Sequence, residues 1–186
     1  MRIVAGQFKG RPIQAPKTDA TRPTSDRARE SLFNILAHAD WAPALEGARI
    51  VDLFAGSGAL GFEALSRGAA FCLFVETMHA ARGAIRNNID TLGLFGSTRS
   101  HRRSAVDLGE KPSGIGPPFD LAFLDPPYHK DLAKPCLESL RSGGWLVPGA
   151  LVVVETASDE PLDLADWTLL ADRDIGAARL WFLSAP

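Results

Sequence analysis

Between residues 48 and 155, short apolar runs alternate with stretches of helical periodicity, and this constrains the fold more than any other feature. The runs 48–54 (ARIVDLF), 71–76 (FCLFVE), 119–125 (FDLAFLD) and 151–155 (LVVVE) are short and apolar throughout, as strands buried on both faces are. Between them, 58–67 (with Leu60, Ala64 and Leu65), 79–92 and 130–141 carry helical spacing, and 98–103 reads as a polar strand. Strands alternating with helices predict βαβ units, hence an α/β fold with a mostly parallel sheet and helices on both faces. Beyond residue 155 the pattern predicts late strands at 167–170 and 179–183, joined by a turn at 173–176. The Pro/Gly-rich stretch 108–118 reads as a loop.

A chain of 186 residues, 46% hydrophobic and 23% charged, can bury roughly 70% of its unfolded surface and needs neither disulfide nor metal to fold. Its two cysteines, Cys72 and Cys136, form no framework, and its four histidines are scattered; no metal site is expected. No window approaches 18 apolar residues, which predicts no membrane span. The N-terminal stretch has no apolar core of the secretory kind, so a cytoplasmic location is expected.

The net charge of −2 conceals an asymmetry. Residues 1–36 hold seven basic and three acidic side chains, while the other 150 residues hold 13 basic and 19 acidic. A basic arm on an acidic body suits a nucleic-acid partner, although a merely solvated terminus is an equally simple reading. The first 40 residues are expected to form a separate unit, a basic hairpin and helix, ahead of the main domain at 41–186. Gly6, Gly10, Pro12, Pro16 and Pro23 punctuate its extended runs. A helix should begin near Ser25, capped by Thr24 or Ser25, with an apolar stripe of Ala28, Leu32, Ile35 and Leu36.

Two motifs carry chemistry. The run at 50–54 leads into Ala55-Gly56-Ser57-Gly58-Ala59-Leu60-Gly61, a G-x-G-x-x-G pattern between strand and helix. Glu76 follows 20 residues after Gly56, where a carboxylate can accept both ribose hydroxyls of an adenine cofactor. The glycines alone do not separate NAD from S-adenosylmethionine (SAM). Asp52 favours SAM, because a carboxylate at the strand end suits an ammonium and a sulfonium and would repel a diphosphate. Asp52 could instead cap the following turn.

The second motif is Asp125-Pro126-Pro127-Tyr128, at the C-terminal end of a strand, the edge where open parallel sheets bind ligands. Two prolines stiffen the turn. The Asp125 carboxylate and the Pro126 carbonyl can then hold the two hydrogens of one planar amine, while Tyr128 stacks on its base. Holding both hydrogens lets the nitrogen pyramidalise and aim its lone pair at a methyl carbon.

DLFAGSGALG, FVE and LDPPY together resemble the class I SAM-dependent methyltransferases that modify amino nitrogens. With MRIVAGQFKGRPIQAP and TRPTSDRARESLFNIL added, the chain looks like the bacterial guanine-N2 methyltransferases of small-subunit (16S) ribosomal RNA, the RsmD-type family, from Met1 through LVVVE. The resemblance implies a Rossmann-like, seven-stranded sheet and a cofactor site of Asp52, Phe54, Ala55, Gly56, Ser57, Gly58, Gly61, Glu76 and Thr77. Ser104 and Ala105 would lie near the adenine, with no acid or amide there for its amino group. Asp125, Pro126, Pro127 and Tyr128 would hold the target guanine. Lys9, Arg11, Lys17, Arg22, Thr24 and Arg27 would meet RNA, either 16S ribosomal RNA or the assembling 30S subunit, and the protein would act as a monomer. The last strand, DIGAARLWF, departs from the family's usual aromatic, glycine and threonine. Adenine-N6 methylation of DNA or RNA is the rival chemistry, and a non-catalytic RNA-binding ribosome assembly factor the rival class. Only 63 residues separate Gly61 from Asp125, too few to hold a DNA-recognition domain.

Overall fold

The structure, a computed structural model, describes residues 1–17 and 25–186. Helix α1 (Asp26–His38) is followed by β1 (Arg49–Leu53), α2 (Ala59–Ser66), β2 (Phe71–Val75), α3 (His79–Leu92), β3 (Thr98–His101) and β4 (Phe119–Leu124). Helix α4 (Ala133–Ser142) and strands β5 (Leu146–Ala157), β6 (Thr168–Ile175) and β7 (Ala178–Ser184) complete the chain. The strands form one sheet in the order β3-β2-β1-β4-β5-β7-β6. The first five are parallel, and β7 runs antiparallel to both its neighbours.

The central strands are apolar on both faces because both faces are covered. Leu32 and Phe33 of α1, Phe62 of α2 and Ile85 of α3 pack with Ile50, Phe74 and Phe123 in one core cluster. Leu137 and Leu140 of α4 pack with Val51, Leu73 and Val152 in the other. The expected α/β architecture is therefore present, and its sheet order explains where a ligand can bind. From β1 the chain moves outward to β2 and β3, then returns to β4 on β1's other side. Loops leaving β1 and β4 diverge there and open a crevice at the strands' C-terminal ends. Leu53 and Leu124 are in register, so the glycine turn and the Asp-Pro-Pro-Tyr turn begin side by side.

Residues 1–13 form a hairpin with a bridge between Arg2 and Pro12. It does not stand apart: Ile3 and Ile13 are buried in the same cluster as Phe62 and Ile50. Its anchor is Glu63, fully buried on α2, whose carboxylate accepts the N–H groups of Val4 (2.8 Å) and Ala5 (3.0 Å). Arg67 adds a 2.9 Å bond to Glu63. The fully buried Arg29 of α1 lies 3.5 Å from Glu63 and bonds Asp26 at 2.8 Å. Desolvating such charges is costly and is offset only when hydrogen bonds meet them; the Glu63 carboxylate is met here by hairpin backbone N–H groups as well as by arginine. At Gly6 a Cβ would fall 1.9 Å from the Ser66 carbonyl oxygen, so only glycine lets the hairpin lie this close to the end of α2.

Several boundaries differ from the sequence pattern. Ser25 is the N-cap of α1, its hydroxyl accepting from the Ala28 N–H at 3.1 Å; Thr24 lies outside the described residues. The buried positions of α1 are Arg29, Leu32, Phe33 and Leu36, with Ala28 and Ile35 half-buried, because the ion pair to Glu63 pulls Arg29 inward. Helix α4 starts at Ala133 instead of 130, since His129 and Asp131 have φ of +56° and +53°, values that no right-handed helix contains. Strand β5 begins five residues before the apolar run. The final turn lies at Gly176-Ala177, not 173–176: Ile175 pairs with Ala178, and Gly176 supplies the φ of +63° that a two-residue hairpin turn needs.

Candidate active site

The turn after β1 is held open by its own backbone. Phe54, Gly56 and Gly58 have φ of +58°, +56° and +81°. Phe54 pays a steric cost there that the glycines do not, on the order of 1–2 kcal/mol. Gly58 is the N-cap of α2 and has no side-chain cap bond. Gly61, one turn on, is needed for space: a Cβ would fall 2.4 Å from the Phe74 ring and 2.6 Å from the Cys72 sulfur. That contact lets α2 lie directly on β2, the packing role of the third glycine in such motifs.

Two carboxylates fasten this turn. Asp52, 1% exposed within β1, accepts the Gly61 N–H at 3.0 Å, so it does cap the start of α2. Glu76 accepts the Gly56 N–H at 2.9 Å through one oxygen and the Met78 N–H at 2.8 Å through the other. Asn88 of α3, 3% exposed, fastens the turn from below and joins it to the N-terminal segment. Its amide donates to the carbonyls of Ser57 (3.1 Å) and Gln14 (3.0 Å) and accepts the Gln14 N–H (2.8 Å).

Burial raises the Asp52 carboxyl well above the usual carboxylate range. The Gly61 N–H pulls it back, while the charges of Asp125 and Glu76 push it further up. Carboxylates just beyond the ends of β2 and β4 thus act on Asp52 of β1 across the crevice. The arrangement favours a cation, which would relieve their repulsion, and disfavours a diphosphate. Beside Glu76 a cleft of about 60 Å³ is bounded by Phe54, Glu76, Thr77, Ser104 and Ala105. All five were singled out from the sequence. Val75 and Arg103 complete its walls. SAM suits this donor set, since carboxylates complement its positive centres and its ribose hydroxyls.

Across from the glycine turn, the Asp125 N–H lies 3.5 Å from the Leu53 carbonyl. Pro126 is buried, Pro127 exposed, and Asp125 and Tyr128 half-buried. The Tyr128 hydroxyl donates to Glu155 of β5 at 2.5 Å, which fixes the ring's free end. Two left-handed residues, His129 and Asp131, follow at once. Such strain is retained where the surrounding structure over-determines it, often beside an active site. Burial raises the thiols of Cys72 and Cys136 above their ordinary value, with Asp52 adding to the rise at Cys72. Neither is a ready nucleophile.

The candidate RNA residues divide. Arg27 is exposed in the first turn of α1, and Lys17 is exposed three residues beyond Gln14, which Asn88 joins to the glycine turn. Arg11 donates to the Thr91 carbonyl at the last turn of α3 (2.8 Å), at the opposite end of the sheet. Lys9 lies in the hairpin loop beside Ser66, also remote from the crevice. Arg22 and Thr24 lie outside the described residues. Sequence reading missed Asn88, Glu63, Arg29 and Glu155. Asn88 and Arg29 were detectable in principle, as polar residues interrupting the apolar stripes of α3 and α1; Glu155 was marked only by its place at the end of an apolar run.

The profile of the family described as Conserved hypothetical protein 95 matches residues 1–184. Ribosomal RNA small subunit methyltransferase D of Haemophilus influenzae is 38% identical over 178 residues, covering 95% of this chain and 89% of that protein. The solved structure of yhhF from Escherichia coli is 34% identical with a TM-score of 0.79, over 99% of this chain and 97% of that one. SMU.776, solved in complex with SAH, shares the fold at 13% identity and a TM-score of 0.64, over 84% of this chain and 49% of that one. With its glycine turn, carboxylates and Asp-Pro-Pro-Tyr turn in place, the chain belongs to the Conserved hypothetical protein 95 family, that of the ribosomal RNA small subunit methyltransferase D proteins.

Proposed function

We propose that this protein transfers a methyl group from SAM to the exocyclic N2 of a guanine in 16S ribosomal RNA. The observation that carries this reading is the register of Leu53 with Leu124, which starts the cofactor turn and the amine-holding turn at adjacent points of one crevice. Membership of the small-subunit ribosomal RNA methyltransferase D family supports the substrate class.

When bound, SAM supplies a methyl group on a positively charged sulfur. The chain's own residues do the rest. Asp52, Glu76 and the Gly56–Gly61 turn hold the donor in the crevice, with Phe54, Thr77, Ser104 and Ala105 enclosing its adenosine. Asp125 and the Pro126 carbonyl accept hydrogen bonds from the two N–H groups of the guanine amine, so that its lone pair faces the methyl carbon. Tyr128, tethered to Glu155, stacks on the base. The Asp125 carboxylate stabilises the positive charge that develops on the nitrogen, and after transfer the nitrogen's proton passes to solvent water. Fixing two reactants in near-attack geometry can supply about 7–11 kcal/mol of the barrier. Drawing the base into the crevice costs a few kcal/mol, and less at a loop or an open helix end. Lys17 and Arg27 receive the RNA near the crevice, Lys9 and Arg11 serve more distant phosphates, and Arg22 and Thr24, outside the described residues, complete the set of RNA contacts. The acting species is a monomer in the cytoplasm, and its substrate is 16S RNA, free or in the assembling 30S subunit.

The test is to incubate the protein with methyl-labelled SAM and 16S RNA or 30S particles that lack the mark, then to locate the label. Label on one guanine N2 is the expected result. Label on an adenine N6, or none on RNA, refutes the proposal.

A further inference from the structure

The acidic balance of residues beyond the arm hides a second segregation, visible only once the sheet order is known. Residues 79–103, which make up α3 and β3, carry five arginines (Arg82, Arg86, Arg99, Arg102, Arg103) against one acid, Asp90. Residues 158–174, at the β6 end, carry six acids against Arg173. Strands β3 and β6 are the two outer strands of the sheet, so the protein has a basic edge and an acidic edge with the crevice between.

The two edges differ in how their charges are paired. On the acidic side Asp163 bonds Lys134 at 2.6 Å, Asp166 bonds Arg141, and Asp172 bonds Arg179. On the basic side none of the five arginines forms an ion pair among the described residues. Arg86, Arg99, Arg102 and Arg103 are exposed. Arg82 and Arg86 lie four residues apart on α3, where like charges repel, and the Arg82 Nε is buried without a hydrogen-bond partner. Phe95, on the turn just before β3, is 64% exposed. An uncompensated cationic strip thus runs beside an exposed ring. It is suited to a polyanion that brings its own counter-charge and an unstacked base.

We propose that the α3–β3 edge is a second docking surface for the RNA substrate, with Arg82, Arg86 and Arg102 on backbone phosphates and Phe95 stacking on an unpaired base. This rests on the ribosomal RNA reading above and extends it. The RNA is gripped on the arm side by Lys17 and Arg27 and again at the β3 edge, so it spans the crevice from which the methyl group is delivered. Arg103 also borders the cofactor cleft, so it is left out of the test.

The test measures 16S RNA affinity against salt for the wild type, for Arg86→Ala/Arg102→Ala, and for Arg173→Ala on the acidic edge, with SAM affinity measured in parallel. Two lost phosphate contacts should lower the slope of log affinity against log salt by about 1.4–1.8, raise the KM for RNA and leave SAM affinity unchanged. Arg173→Ala should match the wild type. Phe95→Ala should weaken RNA binding without altering the salt slope. A double variant with the wild-type slope overturns this surface while leaving the methyltransferase reading intact. Equal losses of SAM and RNA affinity overturn it as well, by making these arginines structural. A wild type that neither binds nor methylates ribosomal RNA overturns both readings.

Discussion

Asn88→Ala tests whether the N-terminal segment and the cofactor turn are one mechanical unit. The Asn88 amide makes three hydrogen bonds of 2.8, 3.0 and 3.1 Å, to the backbone of Gln14 and of Ser57, and is 3% exposed. At about 0.5–1.5 kcal/mol net for each bond, with backbone groups left unsatisfied in a dry site, the substitution should cost about 2–4 kcal/mol. Urea unfolding should show a lower midpoint with an unchanged slope. Titration calorimetry should show weaker SAM binding, because Ser57 lies in the Gly56–Gly61 turn. Asn88→Asp sharpens the test. It keeps an acceptor for the Gln14 N–H but sets a carboxylate oxygen against two carbonyls, which raises that carboxyl's folded-state pKa above its unfolded value. Its stability should therefore be greatest in acid and fall as pH rises through the folded-state pKa. A loss under about 1 kcal/mol for Asn88→Ala, with unchanged SAM affinity, would refute the coupling.

Burial and the charges of Asp125 and Glu76 raise the Asp52 carboxyl, so a bound cation should lower it again. SAM binding should then release a proton and tighten as pH rises through that titration; calorimetry in buffers of differing ionisation enthalpy checks this, and no buffer dependence refutes it. Gly61→Ala should destabilise the fold by about 1–3 kcal/mol through overpacking, and Cys72→Ala in the same chain should recover part of the loss, because the new Cβ meets the Cys72 sulfur at 2.6 Å. Glu155→Ala should lower kcat and raise the KM for RNA several-fold at constant SAM affinity, since it removes the tether on Tyr128. Tyr128→Phe should show the same split, and a Tyr128→Phe enzyme equal to wild type would mean the tether does not matter.

The motif-bearing strands and their helices were legible because parallel strands buried on both faces leave continuous apolar runs, and because glycines mark the turn after β1. Less legible was whatever depends on distant partners. Arg29 turns inward only because Glu63 waits on another helix. The first residues of β5 are not uniformly apolar, and the strand starts there because Leu146 pairs with Phe119 of β4. Helix α4 begins late because of a left-handed backbone at His129 and Asp131 that no propensity rule foretells. Within the site, Asp52, Glu76 and Asp125 could be chosen by their place at strand ends. Glu155 also ends an apolar run, but its bond to Tyr128 exists only in three dimensions. The remoteness of Lys9 and Arg11 from the crevice follows from the hairpin lying along α2 toward Ser66, a direction no charge count contains.

The most direct measurement is a single-turnover assay of Asp125→Ala beside the wild type, with SAM binding followed by calorimetry and methyl transfer to unmarked 16S RNA followed by label. If this carboxylate steers the amine, the variant still binds SAM and leaves the RNA unlabelled. Turnover close to that of the wild type would contradict the role assigned to the Asp-Pro-Pro-Tyr turn.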